Sequence, residues 1–239
     1  AKASGAAVSV YRHRDPSHVD ELLGRHDGNA LVVTDGLFSM DGTLALVPEL
    51  LAVCRAHGAA LMVDDAHGTG TLGATGRGII EHFELRDDLP DILVATASKA
   101  LGVEGGAVAA SAPVAALLRQ KARPFVYSTS STPATCAAVS AAVGVLEGGQ
   151  SPVAALHRNI QRLAAHLGMG EWPSPIIPVP IGDEASAVSA SAALRDAGYF
   201  VPAIRWPTVP RGEAMLRVTV MATHTDEQID GLANAISRL

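Results

Sequence analysis

The strongest constraint on how this chain can fold is a set of short apolar runs recurring between stretches of helical period. Ala7–Tyr11, Ala30–Thr34, Ala60–Asp64, Ile92–Thr96 and Ala107–Ala110 read as strands, most of them near-continuously apolar. Pro16–Leu23, Pro48–Ala56 and Pro113–Arg123 read as helices, each with a proline in the first turn, where no N–H is required. Strands apolar on both sides must be covered on both faces, so this half predicts an α/β architecture on a mostly parallel sheet. A long Ala-rich helix, Pro133–Leu146, precedes Gly148-Gly149.

Beyond that point the texture changes. Helices are expected at Pro152–Leu167, Ala185–Ala197 and Asp226–Leu239, with extended segments at Ile176–Ile181, Tyr199–Ile204 and Leu216–Met221. The order α–β–α–β–β–α predicts a small α+β domain with an antiparallel sheet. The expected division is a large domain over 1–149 and a small one over 150–239, with the boundary near Gln150.

Composition narrows the function classes. Of 239 residues, 48% are hydrophobic and 18% charged, which suits a well-buried domain and argues against disorder. The net charge of −6 argues against nucleic acid as a partner, so an anionic substrate must be met by local arginines. No apolar run approaches membrane-spanning length. Cys54 and Cys136 stand at no metal-ligand spacing, which predicts a reduced, cytoplasmic setting and no metal.

In open α/β sheets ligands sit outside the carboxyl ends of the strands. Three predicted strand ends here are polar: Thr34–Gly42, Asp64-Asp65-Ala66-His67 and Thr96-Ala97-Ser98-Lys99. A carboxylate, an imidazole, hydroxyls and an amine on one rim fit a pyridine-ring cofactor. Asp64 would charge the ring nitrogen, and His67 would reach the phenolic oxygen or stack on the ring. Lys99, in a small-residue surrounding that sheds water from the amine, would hold the aldehyde carbon as an imine. Thr96 and the hydroxyls of Tyr127-Ser128-Thr129-Ser130 would bond a phosphate. Other readings stand beside this one. Lys99 alone reads as a surface lysine after a core strand. Asp64, Asp65 and His67 could ligate a metal, but no third and fourth partner is evident. A Ser98–Lys99 hydrolase pair is weakened because adjacent strand residues point to opposite faces. Asp65 also suits a helix cap. A nicotinamide site lacks its strand–Gly-x-Gly-x-x-Gly–helix run.

In the C-terminal part, Arg217 interrupts the apolar run Met215–Thr219, where an unpaired guanidinium is costly. A carboxylate would offset that cost, supplied by an amino-acid substrate or by one of the chain's 24 acids. Arg205 and Arg211 flank a Pro-rich loop.

Thr34–Gly42, Val63–Gly70, Thr96–Gly106 and Ala203–Thr219 together resemble the α-oxoamine synthases, and the likeness extends over essentially all of the chain. These are pyridoxal-phosphate acyltransferases of the aspartate-aminotransferase fold (fold type I) that condense an amino acid with an acyl thioester. Gly76-Arg77-Gly78, the Thr96–Gly102 run and Ala203–Pro210 are most similar to the branch that joins L-alanine to a pimeloyl thioester, on coenzyme A or a carrier protein, and makes 8-amino-7-oxononanoate for biotin. The alternatives are a glycine-using member, such as one making 5-aminolevulinate or transferring acetyl to glycine, or an inert or regulatory subunit.

The resemblance implies a role for each matching residue. Lys99 would be the Schiff-base lysine, Asp64 the partner of the pyridine nitrogen and His67 that of the phenolic oxygen. Thr96 would be a phosphate ligand and Ser39 a cofactor-side serine. Arg217 would grip the amino-acid carboxylate, with Arg205 and Thr208 on the substrate side. Ser128 and Thr129 would serve the neighbouring subunit of a homodimer. Asp35 stands where many relatives carry glutamate, and Arg14 replaces a frequent asparagine. The family's glycine-containing phosphate loop and its ring-stacking histidine have no match here. The sequence therefore reads as a partial record of a longer chain or as a truncated protein.

Overall fold

The computed structural model describes residues 2–148 and 152–239, so the predicted boundary at Gln150 lies outside the described residues. After a 3-10 turn at Lys2–Ser4, helix α1 (Pro16–Leu23) starts where Asp15 accepts the His18 N–H at 2.9 Å. The elements that follow are β1 (Leu31–Asp35), α2 (Val47–His57), β2 (Ala60–Asp64), the single turn α3 (Ile79–His82), β3 (Ile92–Thr96) and β4 (Gly106–Ala110). Helices α4 (Ala112–Lys121), α5 (Arg123–Val126) and α6 (Pro133–Glu147) complete the first half.

The sheet runs β1-β2-β3-β4, with β1, β2 and β3 mutually parallel and β4 antiparallel to β3. Parallel pairing puts the carboxyl ends of β1, β2 and β3 on one rim, where Asp35 stands opposite Asp64 in register. A buried apolar cluster joins α1 and α2 to β1 and β2, with Val47, Leu50, Leu51, Leu61 and Val63 at its centre.

The second half contains α7 (Val153–His166), β5 (Ile176–Gly182), α8 (Glu184–Asp196), β6 (Ala203–Ile204), β7 (Ala214–Thr219) and α9 (Asp226–Ile236). Its sheet, β5-β7-β6, is antiparallel throughout. Residues of α7, α8 and α9, including Ile160, Leu163, Leu194 and Ile229, pack with Ile177, Leu216 and Val218 into a second cluster. Helix α9 opens on a complete capping box between Thr225 and Gln228.

Three expectations are corrected. Ala7–Tyr11 is not a strand: it pairs with no other segment among the described residues, and Val8 and Val10 are 47% and 85% exposed. An apolar run without a ladder partner or a face to bury has nothing to hold it as a strand. The helix foreseen over Pro113–Arg123 ends at Lys121, and the chain turns extended at Ala122 before α5. Pro124 could not continue α4 without clashing with a carbonyl one turn back. Tyr199–Ile204 shrinks to Ala203–Ile204, because Pro202 has no N–H for the ladder.

Candidate active site

The rim of the first sheet and one end of the second enclose an open cleft of about 460 Å³. That volume lies within the range of small-molecule sites. Lys99 and His67 line one side and Arg217 and Thr219 the other. Each position follows from local structure. Lys99 lies in the tight loop leaving β3, where its carbonyl accepts the Gly102 N–H at 3.0 Å and Ala97 N–H bonds Gly105 O at 2.9 Å. At the base of that loop, the Thr96 hydroxyl lies 2.8 Å from the Ser98 hydroxyl and donates to Gly105 O at 3.1 Å. His67 stands on the turn after β2, where Thr71 Oγ1 donates to its carbonyl at 2.6 Å. Asp64 ends β2, its Oδ1 accepting the local Ala66 N–H at 3.0 Å.

Arg217 projects from β7 to the loop after β1. Its Nε donates to Ser39 O at 2.6 Å and its Nη1 to Thr219 Oγ1 at 3.1 Å. Among the described residues no carboxylate lies within 4 Å of this guanidinium, so the alternative of an internal salt bridge is not made. Sequence reasoning missed Thr219; the available signal was its i+2 spacing from Arg217, which puts both on one face of β7.

The groups sense one another electrostatically. Burial and the nearby Lys99 and Arg217 cations push the His67 imidazole down to about 4, against the pull of Asp64. His67 is therefore neutral at pH 7, with a ring N–H free to donate. Burial and the Asp64 charge push the Asp35 carboxyl up, partly countered by Lys99.

Not all predicted residues converge. Ser39 reaches the site through its carbonyl. Arg205 and Thr208 lie on the exposed loop after β6 and do not line the cleft, although Thr208 N–H bonds Arg205 O at 3.0 Å. Ser128 and Thr129 lie in an exposed segment after α5, also away from the cleft, and the Ser128 hydroxyl bonds Pro124 O.

Asp65 is not a helix N-cap among the described residues: the N-cap of α3 is Gly78, and Asp65 lies buried beside it. Only 1% exposed, it accepts from Ile79 N–H at 3.1 Å and from Thr69 Oγ1 at 3.3 Å. Its Oδ1 has no partner among the described residues, and burial raises its carboxyl to about 7. A carboxyl whose folded-state value lies above its ordinary 3.8 holds its proton more tightly in the native state. Its contribution is fully present below pH 4 and is lost as pH rises through 7. Unfolding free energy should therefore fall between pH 4 and 8 by up to about 4 kcal/mol at 1.36 kcal/mol per unit. Asp65→Asn should flatten that slope in urea titrations; an identical slope in the variant would assign it to other groups.

Comparison with known proteins agrees with this geometry. The family described as aminotransferase class I and II matches residues 1–236. The 8-amino-7-oxononanoate synthase of Pseudomonas putida is 48% identical over 240 residues, covering 98% of this chain and 61% of that protein. Among solved structures, a serine palmitoyltransferase from S. paucimobilis with bound PLP and myriocin superimposes with a TM-score of 0.88 at 31% identity, covering 95% of this chain and 59% of that one. The 8-amino-7-oxononanoate synthase of Francisella tularensis gives 0.84 at 27% identity, over 99% and 70%. The chain spans 37–62% of the lengths of the curated relatives that it matches. With residues 1–236 matched and the strand-end motifs in place, the chain belongs to the class I and II aminotransferase family, with the fold type I architecture of its pyridoxal-phosphate-dependent α-oxoamine synthases.

Proposed function

We propose that this chain carries the site for decarboxylative condensation of L-alanine with a pimeloyl thioester, on coenzyme A or a carrier protein, to give 8-amino-7-oxononanoate. The observation that carries the reading is the convergence of Lys99, His67 and Arg217 on one cleft, with the Asp64 carboxylate near enough to pull on the His67 imidazole. The relative from Pseudomonas putida, named for 8-amino-7-oxononanoate, supports the choice of product.

The donor set fits pyridoxal phosphate. Lys99 offers an exposed primary amine without an ion-pair partner among the described residues. Among the described residues Asp64 presents a carboxylate engaged only locally, His67 a neutral ring N–H, and Thr96 and Ser98 adjacent hydroxyls. Lys99 would hold the aldehyde, Asp64 the ring nitrogen, His67 the phenolic oxygen, and Thr96 a phosphate oxygen. When bound, pyridoxal phosphate supplies an electron sink for the substrate α-carbon. Arg217, with no carboxylate of its own, would take the amino-acid carboxylate by a charge-assisted pair. Its tether to Ser39 O and Thr219 fixes the direction of the fork. The Lys99 amine, when not holding the aldehyde, would remove the α-proton of alanine as a general base. His67 would donate to the oxygen that gains charge as the new ketone forms.

The same reading includes a homodimer. Its support is that Ser128 and Thr129 stand off the cleft while Phe125 and Tyr127 beside them are 66% and 75% exposed. It also includes the division into a cofactor-binding domain over 1–149 and a small domain over 150–239, supported by the two separate apolar clusters. A reduced, cytoplasmic setting is supported by Cys54 and Cys136, both free thiols. Among the described residues no helix is long and apolar enough to cross a membrane.

Turnover with pimeloyl-coenzyme A and with pimeloyl-carrier protein, read by mass spectrometry, tests the reading. Alanine should exceed glycine in kcat/KM by roughly 10-fold or more, the scale of one methyl group in a fitted pocket. Preference for glycine, or product from neither, would reject it.

A further inference from the structure

The loop after β1 folds back on itself as a tight hairpin. Leu37 bridges Leu44, Phe38 N–H donates to Thr43 O at 2.9 Å, and Gly42 N–H donates to Phe38 O at 3.0 Å. The tip, residues 39–42, meets the second half of the chain. Ser39 O accepts from Arg217 Nε at 2.6 Å, and a Cβ added at Gly42 would collide with Ile176 O of β5. The direction of the Arg217 guanidinium therefore depends on where this tip is held.

A polar cluster holds it. Asp41 Oδ1 accepts from Thr43 N–H at 3.0 Å and from Thr43 Oγ1 at 2.8 Å. Asp41 Oδ2 lies 3.0 Å from His13 Nε2, which is also 3.2 Å from Thr43 Oγ1. The His13 ring meets Phe38 edge-on, with centroids 4.3 Å apart. His13 stands 30 residues before Thr43 and is presented by the turn that precedes α1. There Asp15 N–H bonds Arg12 O at 3.2 Å, Arg12 N–H bonds His18 Nδ1 at 2.9 Å, and Arg12 Nε bonds Asp15 Oδ2 at 2.7 Å. Within that turn Arg14 holds φ at +53°, a left-handed conformation uncommon for a residue with a Cβ. Only a turn bonded from several sides keeps such a conformation. The His13 and Asp41 side chains are 50% and 36% exposed, so their pairing adds little to global stability. A strained turn that serves so weak a pair is arranged for position. We propose that His13 and Asp41 are positioning residues that clamp the hairpin tip, so that Ser39 O fixes the direction of the Arg217 guanidinium. The consequence for substrate rests on the proposed function, which places the amino-acid carboxylate at Arg217; the clamp itself does not.

Hydrogen exchange at arginine Nε–H groups of the full chain, followed by NMR, reads the clamp without substrate or turnover, with Arg217→Lys identifying the Arg217 signal. In Asp41→Ala the Arg217 Nε–H should exchange about 10-fold faster, the scale of one hydrogen bond to a charged group. The Nε–H of Arg55, which bonds Asp88 Oδ1 at 2.9 Å elsewhere in the first half, should stay within twofold. An unchanged Arg217 rate would overturn the proposal, as would an equal rise at Arg55, which would mark Asp41 as merely structural. Should Asp41→Ala fail to fold, His13→Ala removes an exposed ring and should speed Arg217 exchange about threefold, with recovery in His13→Gln, whose amide can donate to Asp41. No rise in His13→Ala would overturn the proposal. The substrate consequence is read by titrating the chain, loaded with pyridoxal phosphate, with L-alanine and with L-alaninamide and following cofactor absorbance. Asp41→Ala should weaken L-alanine about 10-fold and leave L-alaninamide, which lacks the carboxylate, within twofold; equal weakening of both would overturn the proposal. A wild-type chain that does not prefer L-alanine to its amide, or forms no product with a pimeloyl thioester, would reject the proposed function, and the exchange rates would still decide the clamp.

Discussion

Lys99→Ala should abolish the long-wavelength absorbance that pyridoxal phosphate acquires when a protein amine holds it, and borohydride should no longer fix the cofactor to the chain. Turnover should fall by about 10²–10⁴-fold, the scale of a lost general base. The argument is geometric. Lys99 lies at the carboxyl end of the parallel sheet, lines the cleft with His67 and Arg217, and sits in a loop pinned at Ala97 and Gly102. Both effects depend on one atom, Nζ, so they must be lost together. Peptide mapping after borohydride treatment of the wild-type chain gives the decisive readout: label on Lys99 supports the assignment, and label on Lys2 or Lys121 would overturn it. Lys99→Arg sharpens the test, because it keeps the charge that depresses His67 while removing the nucleophilic amine. If charge alone were responsible, the arginine variant would retain absorbance.

The parts of this site that can be read from residues are those set by short-range rules. Ile92–Thr96 is legible to its observed limits because a short near-continuous apolar run marks a strand, although each of its residues is only half-buried, and the polar residues after β1, β2 and β3 follow directly from where such strands end. Arg217 is legible because a guanidinium in an apolar strand demands a reason. Its resting partners are not, since Ser39 lies far away in sequence and offers only a backbone carbonyl. The reversed direction of β4 has a sequence signal that the strand pattern alone does not use: the Ala97–Gly105 connection is too short for a crossover, which needs a dozen or more residues. Asn159, buried in α7, has no such signal. A lone asparagine on an otherwise apolar helical face looks like ordinary variation until its bonds to Met221 O and His224 O are seen. Arg205 and Thr208 group with the site by motif, and the exposed loop that carries them leaves them outside the cleft.

Gly78→Ala should be strongly destabilising, by roughly 2–5 kcal/mol in chemical denaturation. Gly78 holds φ at +77°, a conformation that strains any residue with a Cβ. A Cβ added there falls far inside van der Waals contact of Asp65 Oδ2, the oxygen that accepts from Ile79 N–H. On the other side, a Cβ at Gly68 would collide with Asp65 Oδ1, and one at Gly36 would press on the same oxygen at 3.1 Å. The carboxyl is therefore caged by three glycines and cannot step aside, unlike the end of a flexible surface side chain. Displacing it would strip Ile79 N–H and Thr69 of their acceptor in a buried setting, adding the cost of unmade hydrogen bonds to the steric one. The effect should reach function as well, because Asp65 lies between Asp64 and the turn bearing His67, and its carbonyl accepts the Gly68 and Thr69 N–H groups at 3.1 and 2.9 Å. Gly144→Ala is the matched control. Gly144 sits within α6, and a methyl added there would meet nothing within 4 Å, so the change should stabilise by about 0.5–1 kcal/mol through helix propensity. Equal effects from the two substitutions would show that the cage around Asp65 does not hold the turn beneath the site.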